Sequence, residues 1–221
     1  MGFSNNDKKR NYAKIELTKL KQVDPRFVLY QGKEQEPIEF TNYQGRLTGI
    51  KFDDYEWNGD LVEQVIFIFT EDDGTETWIK TGYTGVMRSI VNSLADKDLG
   101  GIVSFSLYSK TKNDKERAYV HVEIDGFGAD WKYEIDEMPE MEQKTVNRKK
   151  VWDSVKLDEF IKKVIQEEII PNIKEFTPEL SSEPKENEDE SLVDQVRKEK
   201  KERKASEKTT QPDDSEDDLP F

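Results

Sequence analysis

The sequence holds no cysteine and a single histidine, His121. Disulfides, thiolate metal sites and thiol nucleophiles are therefore excluded, together with any His-rich metal centre. No apolar run approaches the roughly 20 residues that a membrane-spanning helix needs. The charged start MGFSNNDKKRNYAK leads into no apolar core of the kind a secretory signal carries. The phosphate-cradling G-x-x-x-x-G-K-[ST] and the nucleophile elbow G-x-S-x-G are both missing. Hydrophobic residues are scarce too, at 33% against 37% charged, too few for a chain packed along its whole length.

The shortage is local. From Thr177 to Phe221 there are 15 acids, 8 bases and no aromatic but Phe221; Met1 to Phe176 carries 33 acids and 26 bases. Each part is therefore −7, and together they give the −14 of the whole. Residues 1–176 hold nearly all the Trp, Tyr, Phe, Ile and Val and are expected to fold. The remainder cannot offset its ordering entropy by apolar burial, so 177–212 is expected to be a disordered charged linker ahead of an acidic tip, 213–221. A fainter helical pattern, SLVDQVRKEKKERK, has only Leu192, Val193 and Val196 as apolar handles and is too weak to stand alone.

Within the folded part the period is mostly two. KIELTKLK alternates until Pro25 breaks the pattern, and RFVLY follows as a second short run. FTNYQGRLTGIKFDDYEW is β-rich with Gly45 and Gly49 inside it, residues that mark bulges or close approach. LVEQVIFIFT, the turn EDDG and TETWIK read as a hairpin. Val86, Met87, Ile90, Val91 and Leu94 then recur at helical spacing. IVSFSLYSK and RAYVHVEI are further strands joined by the polar TKNDKE, and DWKYEI, Asp130 to Ile135, reads as a short one. Val155, Leu157, Phe160, Ile161, Val164, Ile165 and Ile169 form the apolar side of a helix over about 153–170 that Pro171 ends. Strand, strand, strand, helix, strand, strand is the order of an OB-fold, although other small α+β folds share it. The expected fold is thus mainly β with α: an OB-fold-like five-stranded barrel over about 40–136, N-terminal strand additions and a C-terminal helix.

Alternation also sorts faces. Val103, Phe105 and Leu107, with Ala118, Val120, Val122 and Ile124, form an inner face. The outer face then carries Tyr108, Lys110, Arg117 and Tyr119, with Lys112 and Lys115 in the connection. Trp78 and Lys80 share a face of their hairpin; Arg46 and Lys51 come from the first barrel strand, Tyr55 and Trp57 from the loop after it. Aromatic rings stack on unpaired bases while flanking cations track phosphates, so these residues are candidates for a single-strand path. The same rings would serve equally well in a core, and the basic residues as a solvated loop. DKKRNYAKIELTKLK either lines that path or is a free arm. The acidic total runs against a simple nucleic-acid binder, whose usual footprint is basic.

Catalysis finds little support. Asp53, Asp54, Asp72 and Asp73 sit in apparent turns, where Asp is common anyway, whereas a magnesium nuclease needs carboxylates clustered on a rigid frame. Gly82 and Gly85 in TGYTGV precede a helix and read as a cap or turn. His121 reads as a surface strand residue. No enzyme activity, cofactor or metal is expected.

DDSEDDLPF, Asp213 to Phe221, resembles the C-terminal tip of bacterial single-stranded DNA-binding proteins, with Asp217, Asp218, Leu219, Pro220 and Phe221 all matching. The strands, loops and long helix ahead of it differ from that family's N-terminal domain and look more like a phage-encoded protein sharing the tail logic. The resemblance implies a non-catalytic protein that coats single-stranded DNA in the bacterial cytoplasm. Its tip would recruit replication, recombination or repair proteins, Phe221 filling an apolar pocket and the acids meeting a basic rim. Two alternatives stand beside it: an acidic adaptor or DNA mimic that binds DNA-processing enzymes but not DNA, and a metal-dependent nuclease.

Overall fold

The computed structural model describes residues 9–20, 22–30, 36–57, 59–146 and 149–178. Contacts divide the chain into two units, Met1–Leu180 and Ser181–Phe221; the linker from 179, the faint helix and the acidic tip lie outside the described residues.

The domain is mainly β. β1 (Arg10–Lys19), β2 (Gln22–Tyr30), β3 (Ile38–Phe40), β4 (Asn42–Trp57), β5 (Asp60–Thr70) and β6 (Glu76–Thr81) precede helix α1 (Gly85–Leu94). β7 (Ile102–Lys112), β8 (Lys115–Ile124) and β9 (Phe127–Gly128) follow, then the hairpin β10 (Glu142–Val146) and β11 (Lys149–Asp153), and helix α2 (Val155–Val164). β1 to β9 form one sheet in the order β3-β2-β1-β6-β5-β4-β7-β8-β9. It is mixed, because β1 runs parallel to β6 while every other neighbour is antiparallel. The sheet is larger than five strands and does not close by hydrogen bonds.

Three local differences from the sequence reading have physical causes. Pro25 does not break its strand: β2 runs through it, because the register of β1 shifts between Glu16 and Thr18 opposite it, and a bulge tolerates the missing N–H. Asp130–Ile135 forms no strand. The Asn92 side chain takes the role of a ladder partner there, accepting from Lys132 N and Tyr133 N at 3.1 and 2.8 Å and donating to Tyr133 O at 2.8 Å. Third, β10 and β11 form a separate two-stranded sheet that alternation alone does not reveal.

The inner face closes on the helices. Leu47, Val65, Phe67, Phe69, Ile79, Val103, Phe105 and Val122 are buried from the sheet, with Ala13 and Phe27 joining from β1 and β2. α1 contributes Val86, Met87, Ile90, Val91 and Leu94. Thr84 caps it, its hydroxyl accepting from Met87 N at 3.2 Å, so TGYTGV is a helix cap. α2 adds Leu157, Ile161 and Val164, and a π-turn over Ile165–Ile169 keeps Ile165 and Ile169 inward as well. Val155, expected on the apolar side of that helix, is instead 58% exposed. α2 therefore packs on the core side of the sheet and not on its outer face.

Candidate functional site

Registers determine what the outer face carries. Counting along β4 puts Arg46 and Lys51 on opposite faces. The structure puts them on one, because the register of β4 shifts at Thr48: Arg46 pairs with Thr70, then Gly49 with Ile68 and Lys51 with Ile66. Thr48 Oγ1 lies 2.7 Å from Thr70 Oγ1 and donates to Ile68 O, which anchors the bulge. On β6, Trp78 lies opposite Ile68 and Lys80 opposite Ile66. β1 then places Tyr12 beside Trp78 and Lys14 beside Lys80, and Tyr30 faces Tyr12 from β2.

One group is thus built from Arg10, Tyr12, Lys14, Tyr30, Lys51, Trp78 and Lys80. Tyr12 meets Trp78 edge to face at 5.9 Å. Arg10 and Lys51 lie over the Trp78 ring at 5.0 and 4.7 Å, so Trp78 is already engaged, and the open rings are Tyr12 and Tyr30, 41% and 48% exposed. Sequence alone does not single out Arg10, Tyr12, Lys14 and Tyr30; the alternation of NYAKIE contains the strand, but only the pairing with β6 gives that face a meaning. Carboxylates are interleaved here. Arg10 reaches Glu76 at 3.3 Å, Lys80 reaches Asp53 at 3.6 Å and Lys14 reaches Glu16 at 3.8 Å. Lys51 makes no ion pair among the described residues.

A second group sits at the β7–β8 hairpin. Asn113 and Asp114 both take positive φ, 52° and 58°, the conformation of a tight two-residue turn. The strands therefore run to the turn, and Lys112 and Lys115 are strand residues directly opposite each other, not loop residues. Next along the same outer face come Lys110 opposite Arg117, then Tyr108 opposite Tyr119, whose rings stack at 5.6 Å and 19°. Lys110, Lys112, Lys115 and Arg117 are exposed and make no ion pair among the described residues. Like charges directly opposite destabilise a ladder, and here two such pairs are adjacent. His121 lies further along β8, exposed and 3.3 Å from Glu123.

The two groups are not one cluster. They lie toward opposite ends of β4, whose outer face between them carries Asn42, Gln44, Arg46 and Gly49. Arg46 itself is occupied: it donates to Gly100 O at 3.3 Å and lies 4.9 Å from the Phe176 ring. Phe176, Arg10, Lys51 and Trp78 border a cavity of about 340 Å³. Tyr55 stands beyond the first group on β4, 38% exposed; the Trp57 side chain, and Asp217 to Phe221, lie outside the described residues. On the inner side of the β4–β5 arm, burial opposes ionisation of Glu63, but hydrogen bonds from Lys162 and Tyr83 outweigh it and hold its carboxyl below the usual range. Burial, then Glu63, pushes the Tyr83 phenol up.

Among the described residues no group of three or more His, Asp or Glu side chains is placed to hold a metal ion, and no helix is long and apolar enough to cross a membrane. No family model, no curated protein and no solved structure matches this chain.

Proposed function

We propose that the protein is a non-catalytic single-stranded DNA-binding protein that holds DNA along the outer face of its sheet and recruits DNA-processing proteins through Asp217, Asp218, Leu219, Pro220 and Phe221. The observation that carries this reading is the β7–β8 hairpin. Two adjacent cross-strand cation pairs cost stability unless an anion neutralises them, and a stacked tyrosine pair beside them offers rings to bases. A polyanion that bears exposed aromatic faces fits both halves of that site.

The reading extends to the fold. The order β6-β5-β4-β7-β8, with α1 between β6 and β7, fits an OB module carrying β1 to β3 as an addition on β6. In such modules the first and last hairpin loops and the intervening face take oligonucleotides, and those are the positions of Tyr55, of the first group and of Lys110 to Arg117. The DDLPF ending supports the partner half of the proposal by its resemblance alone.

One observation favours the adaptor reading instead: most cations of the first group lean on carboxylates, in a chain of net charge −14. Titration of oligo-dT against intrinsic tryptophan fluorescence, at low and high salt and with or without residues 213–221, separates the two. Quenching that weakens with salt and exceeds that from duplex of equal length is expected. No quenching, with tail-dependent capture of replication proteins, would leave the adaptor; equal affinity for single and double strands would sink the proposal.

A further inference from the structure

We propose that the β10–β11 ribbon is a second, separate contact for single-stranded DNA, with Trp152 as its stacking platform and Lys150 as its phosphate contact; this rests on the DNA-binding reading above. The ribbon pairs Glu142 with Asp153, Gln143 with Trp152, Lys144 with Val151 and Thr145 with Lys150. Its two faces differ sharply. One carries Glu142, Lys144, Val151 and Asp153, and there the charges are satisfied: Lys144 pairs with Asp153, and Lys156 with Glu142 at 2.5 Å. The other carries Gln143, Thr145, Lys150 and Trp152, all exposed, with no acid among the described residues of that face.

Trp152 is 62% exposed on that face. Ring, cation and two short hydrogen-bonding side chains on one ribbon face are the parts a sequence-tolerant contact to bases and phosphates uses, and the charge is complementary to DNA.

The ribbon is held beside α2, on the core side of the sheet, apart from the outer-face path. Its base is tied to the domain by the Lys156–Glu142 pair, by Arg88 against Met141 Sδ at 3.8 Å, and by Arg88 to Asp158 at 2.7 Å. Where β11 passes into α2, Ser154 and Val155 share a groove of about 610 Å³ with Leu61, Val62 and Glu63.

Fluorescence anisotropy of labelled oligo-dT, about 8 and about 30 nucleotides long, against the full chain tests this. Trp152→Ala is expected to leave the short oligomer within about twofold and to weaken the long one roughly tenfold, with Trp152→Phe restoring most of the loss. Lys150→Gln should reduce the salt slope for the long oligomer alone, by about 0.7. If Trp152→Ala matches the wild type on the long oligomer, or weakens both lengths alike, the ribbon is not a second contact and the DNA-binding reading survives. If the variant instead loses self-association while DNA binding is unchanged, the face is a protein surface and the inference falls. A wild-type chain that binds neither oligomer overturns both readings.

Discussion

Replacing Lys110 and Lys112 by glutamine separates a functional hairpin from a merely solvated one. Each lysine faces a cation directly across the ladder, Lys110 opposite Arg117 and Lys112 opposite Lys115. The double variant removes both repulsions. Cross-strand pairs are worth about 0.2–1 kcal/mol, and these are exposed and screened, so a few tenths of a kcal/mol per pair is the fair figure. For a domain of this size that is a rise of about 1–3 °C in the melting temperature. Binding should move the other way. Removing one phosphate-binding cation lowers the slope of log K against log salt by about 0.7 for single strands, so two lysines account for about 1.4. Between 50 and 200 mM salt the wild type should therefore weaken about sevenfold more than the variant.

Differential scanning fluorimetry without DNA and anisotropy with oligo-dT at several salt concentrations read the two effects in one preparation. Gain of stability with loss of salt sensitivity is the signature of a strained binding site. A variant with an unchanged slope would show that DNA does not touch this hairpin. One that melts lower would show that the lysines are held by favourable interactions, and the argument from like-charge pairing would be wrong.

Tyr12→Ala should weaken oligo-dT binding about fivefold, the low end of the stacking range because the ring is partly covered, and lower the melting temperature by about 2–4 °C through loss of its edge-to-face packing on Trp78; anisotropy well below the melting temperature and a thermal scan check both. Arg26 is 7% exposed and joins β1, β2 and β3 by reaching Glu16 at 2.9 Å and Glu39 at 3.3 Å, so Arg26→Met should cost about 2 kcal/mol in urea unfolding, less than a fully buried pair because both acids reach solvent. DNA affinity well below its melting temperature should not change. Glu63 is held below the usual carboxylate range in the folded state, so its contribution is present above the unfolded carboxyl pKa and lost as pH falls through the lower folded value. The urea midpoint should drop as pH falls from about 6 to about 3, and Glu63→Gln should flatten part of that drop.

Period-two alternation made the inner faces of β7 and β8 legible, since a one-residue slip would have exposed Phe105 and Val122. The pairing of Trp78 with Lys80 was legible for the same reason. What alternation cannot carry is anything decided between strands. The bulge at Thr48 reverses the parity of β4, so Lys51 joins Arg46 only in the folded sheet, although Gly45 and Gly49 do flag the stretch. Tyr12 and Tyr30 gain a role from the parallel pairing of β1 with β6, segments far apart in the chain whose meeting no local pattern encodes. Asp130–Ile135 misleads because the residues are strand-like and the competitor, the Asn92 amide, lies 40 residues before Lys132. TKNDKE reads as loop because it is polar; Asn113 and Asp114 supply the positive φ that lets the ladder continue to the turn.

The distribution of charge on the outer face bears on how an acidic domain meets a polyanion. Net charge, −7 for residues 1–176, opposes the approach of DNA, but that repulsion is largely screened beyond a Debye length, about 10 Å at 0.1 M salt. Contact energy is set within that length, where the placement of each cation matters more than the sum. The first group is near balance, its cations largely spoken for by Glu76, Asp53 and Glu16; what it offers is the rings of Tyr12 and Tyr30. The β7–β8 hairpin is the reverse, four cations without carboxylate partners among the described residues, beside two tyrosines. If the domain binds single-stranded DNA as proposed, such a division makes stacking the main source of affinity along the sheet and concentrates salt-sensitive attraction at the hairpin. On that proposal the many acids and the site are compatible: on the sheet carboxylates neutralise the cations that flank the rings, while the turn end of the hairpin's outer face carries cations and no acid among the described residues.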